Sequence, residues 1–274
     1  RREAKKYGVP AKLIAKIETK KALDHLDPII EEADGIMVAR GDLGVEIPIE
    51  QVPFYQKMMI KKCMIQGKFV ITATQMLQSM IENPFPTRAE ISDIANAIYD
   101  LTDCIMLSGE TANGAHPLKA VDVMRKTALF YEPKTDEDTQ VKIQFSAEDT
   151  SAMVVDAAYA LYRKYVTADQ TIAGFMIFSQ SGHTATLLSR YRPKVPIFTF
   201  TPNESVSESL AVNFGVIPVI FGYHNADEVN VSELKRAVHL LQEKELIKKR
   251  HGKFIVVHGD HWGSGSGATT IRII

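Results

Sequence analysis

The chain has 274 residues, 45% of them hydrophobic and 24% charged, enough for one large domain or two smaller ones. A formal net charge of −1 gives no general attraction for nucleic acid, and no apolar run approaches the roughly 18–20 residues of a membrane-spanning helix. Cys63 and Cys104 lie in separate apolar stretches without CxxC spacing, so they read as buried thiols in a reducing, cytoplasmic setting rather than as a disulfide.

Arg1-Arg2-Glu3-Ala4-Lys5-Lys6 reads as the exposed face of a helix already under way, which leaves a targeting segment ahead of it open. Short apolar runs then alternate with amphipathic helical patterns. The runs are 12–18, 35–39, 69–74 and 104–107, each rich in β-branched or apolar residues, as buried parallel strands are. Helical patterns fall at 53–66, 88–100 and 118–131. This βαβα order predicts right-handed crossovers and a parallel sheet or barrel. Every run ends in polar residues, at Lys16-Ile17-Glu18, Arg40-Gly41-Asp42, Thr74-Gln75 and Ser108-Gly109-Glu110. In a (β/α)8 barrel such ends face the active site, and four strands make half of one.

The alternation breaks over 132–150, a polar stretch opening at Pro133 that reads as a linker. A helix at 152–165 then leads into a second α/β unit. Its strands are expected at 174–178, 196–200, 216–220 and 254–257, with a further strand closing the chain. Helices at 185–191, 205–214 and 229–250 connect them. The predicted organisation is a partial (β/α)8 TIM barrel over 1–131, a linker over 132–150 and a C-terminal α/β domain over 151–274 with a mixed, mostly parallel sheet.

Residues two apart on a strand share a face, so Lys16 and Glu18 point together. Unpaired charge is costly inside a barrel, which leaves a structural ion pair or a site. As a site, Glu18 suits a hard divalent cation and Lys16 an oxyanion. Asp42, at the next strand end, suits the same cation, and Gly41 and Gly44 permit a turn with exposed N–H groups. Thr74 closes the third strand, where a hydroxyl is either structural or placed to bind substrate or relay a proton.

These residues stand in a pattern. Ile14-Ala15-Lys16-Ile17-Glu18 and Asp34 to Glu46, which contains Ala39-Arg40-Gly41-Asp42-Leu43-Gly44, resemble the central signature of the pyruvate kinases. Ala73 to Leu77, Pro86 to Glu90 and Met106 to Thr111 are similar to later blocks of that family, in the same order, and Arg190-Tyr191-Arg192-Pro193 is a looser anchor beyond them. The resemblance implies phosphoryl transfer from phosphoenolpyruvate to ADP, giving pyruvate and ATP in glycolysis. It implies Mg2+ (or Mn2+) on Glu18 and Asp42, Lys16 at the transferring group, backbone N–H groups of Ala39, Arg40 and Gly41 at the substrate carboxylate, and Thr74 near the carbon that is protonated. It makes the Lys16 strand the fifth of eight. The K+ ligands and the nucleotide lid then lie outside this chain, and the chain alone is expected to be inactive. It further implies a homotetramer in the intact enzyme and an allosteric sugar-phosphate site in the second unit. Candidates for that site are Ser179, Gln180, Ser181, Gly182, His183 and Thr184, with Trp262 in the loop before the last strand; the bland alternative is an N-capped helix after a glycine turn. Two rivals are a metal-dependent pyruvate or phosphoenolpyruvate barrel lyase, which would also need a Glu/Asp metal pair at strand ends, and a non-catalytic metabolite-binding module. The lyase requires no α/β domain after residue 150, and the module no reason to keep Lys16, Glu18, Asp42 and Thr74 together.

Overall fold

The computed structural model describes residues 2–8, 11–135, 149–222, 231–248, 252–259 and 267–274. The chain divides into two compact units, 1–143 and 144–274.

The first unit is a sheet of four parallel strands, β1 (Ile14–Ile17), β2 (Gly35–Ala39), β3 (Phe69–Ala73) and β4 (Cys104–Met106), lying side by side in chain order. Helices follow each strand, the longer ones at Val52–Gln66, Arg88–Tyr99 and Pro117–Tyr131. Every crossover steps the same way, which is how a barrel is wound. The two faces of the sheet differ. Ile17, Val38 and Thr72 form one register row and Ile36 and Val70 another; all are buried, packed with Leu26, Ile30, Met59 and Ile60 of the helices. The intervening row, Lys16, Met37, Ile71 and Cys104, is half-buried to exposed. That second face is the concave side of a partial barrel, and both β1 and β4 are sheet edges among the described residues.

Local chemistry fixes the strand ends. Thr19 caps the helix Lys20–Asp24 by accepting from Ala22 N–H at 3.2 Å, which stops β1 just beyond Glu18. The Pro86 to Glu90 block is a capping box: Thr87 Oγ1 accepts from Glu90 N–H and Glu90 accepts from Thr87 N–H, starting the helix Arg88–Tyr99. Glu90 also accepts from the backbone and hydroxyl of Ser79 at 2.7 and 2.6 Å. Burial acts to raise its carboxyl, and these donors from Ser79 and Thr87 together hold it below the ordinary value.

The second unit is a five-stranded sheet ordered β7-β6-β5-β8-β9, with β5 (Ile172–Phe178), β6 (Ile197–Thr201), β7 (Val216–Ile220) and β8 (Lys253–His258) parallel and β9 (Thr270–Ile273) antiparallel to β8. The chain runs outward from β5 to β7 and returns to β8, so helices cover both faces. Thr150–Thr167, His183–Ser189 and Glu204–Leu210 pack on Phe175, Ile177, Ile197 and Ile255; Val231–Glu243 packs on Phe198, Phe200, Phe254 and Val256. The expected mixed, mostly parallel sheet is present, with element bounds shifted by a few residues. Helix Val231–Glu243 is shorter than the reading of 229–250, whose residues 229, 230, 249 and 250 lie outside the described residues, as does 136–148 of the expected linker. Neither cysteine forms a disulfide; Cys63 is buried, whereas Cys104 is half-buried because β4 is an edge.

Gly35 meets the Phe69 ring across β2 and β3: a Cβ there would stand 2.5 Å from Cε2. Gly35→Ala is expected to cost about 1–3 kcal/mol in urea unfolding of the chain, and Phe69→Leu in the same background to recover part of it.

Candidate active site

The ends of β1 and β2 bring three charges together. Lys16 leaves the exposed face of β1, and its ammonium pairs with Glu18, two residues on, and with Asp42 Oδ2 at 3.0 Å. The three side chains are 49%, 38% and 60% exposed, so the cluster is open to solutes from the concave side. The carboxylates of Glu18, first, and of Asp42 raise the Lys16 ammonium above its ordinary value. Lys16 in turn holds the Asp42 carboxyl below its own.

Asp42 reaches this point because the residues after β2 form a short helix, Arg40–Glu46, rather than the glycine turn that the sequence suggested. Gly41 and Gly44 are helical; at Gly41 a Cβ would lie 3.4 Å from Thr74 Oγ1. Ala39 is fully buried, in register with Ala73. The Gly41 N–H donates to Thr74 Oγ1 at 2.8 Å, so the backbone group expected to face a carboxylate is engaged by the Thr74 hydroxyl. That hydroxyl donates its single proton to Ala73 O at 2.6 Å. Thr74 and Gln75 have φ of 69° and 55°, left-handed values that a β-branched residue rarely adopts. Such strain persists only where the surroundings over-determine it, and it gathers at functional sites.

The donor set suits a hard cation. Two carboxylates from neighbouring strand ends already converge on one positive charge, the Lys16 ammonium. Among the described residues no cluster of three or more His, Cys, Asp or Glu that could hold a metal ion is present.

A family model for the pyruvate kinase barrel domain matches residues 1–121, and one for the pyruvate kinase alpha/beta domain matches 156–274. The chain belongs to the pyruvate kinase family. It is similar to the pyruvate kinase of Clostridium acetobutylicum, 46% identical over 84% of this chain and 48% of that protein. It is 47% identical to that of Agaricus bisporus over 77% of this chain and 40% of that protein. It is 40% identical to that of Thermotoga maritima over 99% of this chain and 56% of that protein. The chain thus spans about half the length of the curated pyruvate kinases it matches.

In the pyruvate kinase alpha/beta domain, the loop after β5 is held by its own hydroxyls. Ser179 Oγ accepts from Gly182 N–H at 2.9 Å and Ser181 Oγ from His183 N–H at 3.4 Å, while Gly182 takes φ 79°. Gln180, Ser181 and His183 are exposed and Thr184 is buried. This loop and Gly259 follow β5 and β8, the two neighbours at which the strand order reverses. Trp262 lies outside the described residues.

Sequence reading of the pyruvate kinase barrel missed two buried side chains that bind the strand ends together. Arg40, singled out for its backbone, buries its guanidinium against Ala73 O, Thr74 O and Asp93. Glu110 is 1% exposed and accepts from Leu77 N–H at 3.0 Å and Ser108 N–H at 2.8 Å, joining the loops after β3 and β4. Charged residue types in loops gave no hint of either burial.

The charge cluster has a titration signature. Asp42, with its pKa lowered, supplies stability that is complete above its unfolded value of about 4 and lost only as pH falls through the lower folded value. Lys16, with its pKa raised, supplies stability that is complete below about pH 10 and lost as pH rises through the higher folded value. Carboxyl carbon NMR is expected to show Asp42 titrating below free aspartate and moving upward in Lys16→Met. An unchanged Asp42 midpoint in that variant contradicts the pairing.

Proposed function

We propose that the chain is the part of a pyruvate kinase that carries the second half of the catalytic barrel, over 1–131, and the regulatory α/β domain, over 151–274, joined through 132–150. The intact enzyme moves the phosphoryl group of phosphoenolpyruvate to ADP in the cytoplasm, as a homotetramer. The observation that supports this reading above the others is the Lys16 ammonium held jointly by Glu18 and Asp42 at two adjacent strand ends.

In the reaction the bond from phosphorus to the enol oxygen breaks, a bond to a terminal ADP oxygen forms, and the enolate left behind takes a proton on carbon. Glu18 and Asp42 would hold Mg2+ (or Mn2+), which supplies charge neutralisation at the phosphoryl and substrate oxygens. K+ is the second expected cation, with ligands outside these residues. Lys16 places a fixed positive charge beside the transferring group and the developing enolate, where preorganised charge counts most. The first turn of the Arg40–Glu46 helix, with Ala39 before it, offers N–H groups to the substrate carboxylate; Gly41 does so when Thr74 Oγ1 yields it. The only proton on the Thr74 hydroxyl is committed to Ala73 O. Thr74 therefore serves the carbon through a water accepted or oriented by its oxygen, not as a direct acid.

A sugar phosphate is the proposed effector at Ser179, Gln180, Ser181, Gly182, His183 and Thr184. The observation that favours it is the position of this loop at the point where strand order reverses, the usual ligand crevice of such sheets. Titration with a hexose bisphosphate is expected to shift the fluorescence of Trp262, the only tryptophan, and no change at millimolar concentration removes the effector reading.

Two kinetic results test the main proposal. In the full-length enzyme, Lys16→Met is expected to lower kcat by about 10²–10³-fold. Thr74→Ala is expected to lower kcat by roughly 10²-fold while leaving KM for phosphoenolpyruvate unchanged or lower, because the Gly41 N–H is released. A Thr74→Ala enzyme with raised KM and unchanged kcat contradicts the assignment. The 274-residue chain by itself is expected to show no turnover in a coupled assay.

A further inference from the structure

We propose that the side chain of Arg40, aimed by Asp93, is a positioning residue that holds Thr74 in its left-handed backbone conformation and thereby sets its hydroxyl at the reacting carbon. This deepens the phosphoryl-transfer reading above and rests on it.

An arginine in the first turn of a short surface helix ordinarily extends into water. Here the residue is 8% exposed, and Nε and Nη2 are directed at the carbonyls on either side of the Thr74 Cα. Nη2 donates to Thr74 O at 2.6 Å, and Nε donates to Thr74 O and Ala73 O, both at 3.3 Å. On the other side of the same residue, Gly41 N–H donates to Thr74 Oγ1 at 2.8 Å. Thr74 is therefore clamped at its carbonyl by the side chain of residue 40 and at its hydroxyl by the backbone of residue 41. A β-branched residue at φ 69°, followed by Gln75 at φ 55°, needs such a clamp, since neither conformation is favoured on its own.

The guanidinium is aimed from behind. Nη1 pairs with Asp93 at 2.7 Å, on the helix Arg88–Tyr99, and reaches Gln56 Oε1 at 3.5 Å, on the helix Val52–Gln66. Gln56 is fixed in turn by donating to Asp100 Oδ2 at 3.0 Å. The helix that carries Asp93 is anchored at its start by the Thr87–Glu90 box. A planar fork can serve Thr74 O and Asp93 at once; the point charge of a lysine cannot.

The alternative is a purely structural ion pair between helix and sheet. Two variants of the full-length enzyme, Arg40→Lys and the milder Asp93→Asn, separate the two roles at a temperature well below each variant's Tm. The readouts are steady-state kinetics and the rate at which solvent deuterium enters the methyl group of pyruvate. That exchange is the reverse of enolate protonation: a methyl proton leaves, the enolate forms, and a deuteron returns to carbon. Positioning predicts exchange slowed by about 10–100-fold with KM for phosphoenolpyruvate within about 3-fold of wild type. It also predicts that Thr74 leaves positive φ in a crystal structure of Arg40→Lys. Exchange and kcat unchanged in both folded variants overturns the proposal, and so does Thr74 still left-handed in Arg40→Lys, the latter whatever the enzyme's substrate. Absence of wild-type turnover would instead sink the reading it rests on, and the Thr74 conformation would still decide the clamp.

Discussion

One shared cation organises the strand ends of the first unit. Two strand ends each contribute a carboxylate, and the ammonium of Lys16 keeps both from repelling each other across the open side of the sheet. Glu18 and Asp42 come from segments joined by two helices and a full strand, so their approach depends on the parallel register of β1 with β2. A slip of one residue would turn Lys16 and Glu18 together toward the helices and leave Asp42 without the Lys16 ammonium. The buried rows of the sheet, Ile17–Val38–Thr72 and Ile36–Val70, hold that register, so the packing core carries the site on its other face.

The next layer is built against local preference. Thr74 and Gln75 are left-handed without glycine, Arg40 is buried beside a strand end, and Glu110 is buried on backbone donors alone. Each would destabilise a surface loop if it stood by itself. Each has its partners: the arginine fork takes the Thr74 carbonyl, the Gly41 N–H takes its hydroxyl, and the Glu110 carboxylate takes the N–H groups of Leu77 and Ser108 in two successive strand-end loops. The strand ends are thus fixed by polar groups as well as by the buried Leu43, Met76 and Leu77 beneath them.

Much of this was legible from residue order. Apolar runs bounded by polar ends marked all four strands of the first sheet, because buried parallel strands need continuous apolar character while their ends face the site. Lys16 and Glu18 announced themselves by a spacing of two on a strand, and Asp42 by its place after the next. Side-chain burial was not legible. Arg40 lies in a loop-like Arg-Gly-Asp sequence that reads as a glycine turn, yet it forms a helix because its guanidinium finds Asp93, more than fifty residues away in the chain. The Pro86 to Glu90 block resembles a family signature, and its described bonds are those of a helix cap tied to Ser79. Tertiary partners of this kind leave no local pattern.

Paramagnetic broadening by Mn2+ reads the central proposition directly. Titrating the ion into the isotope-labelled chain should erase the resonances of Ile17–Glu18 and Gly41–Asp42 first and together, with the effect weakened in Glu18→Gln. Broadening that begins elsewhere, or that strikes one of these strand ends without the other, would mean that the two carboxylates do not hold one metal ion between them.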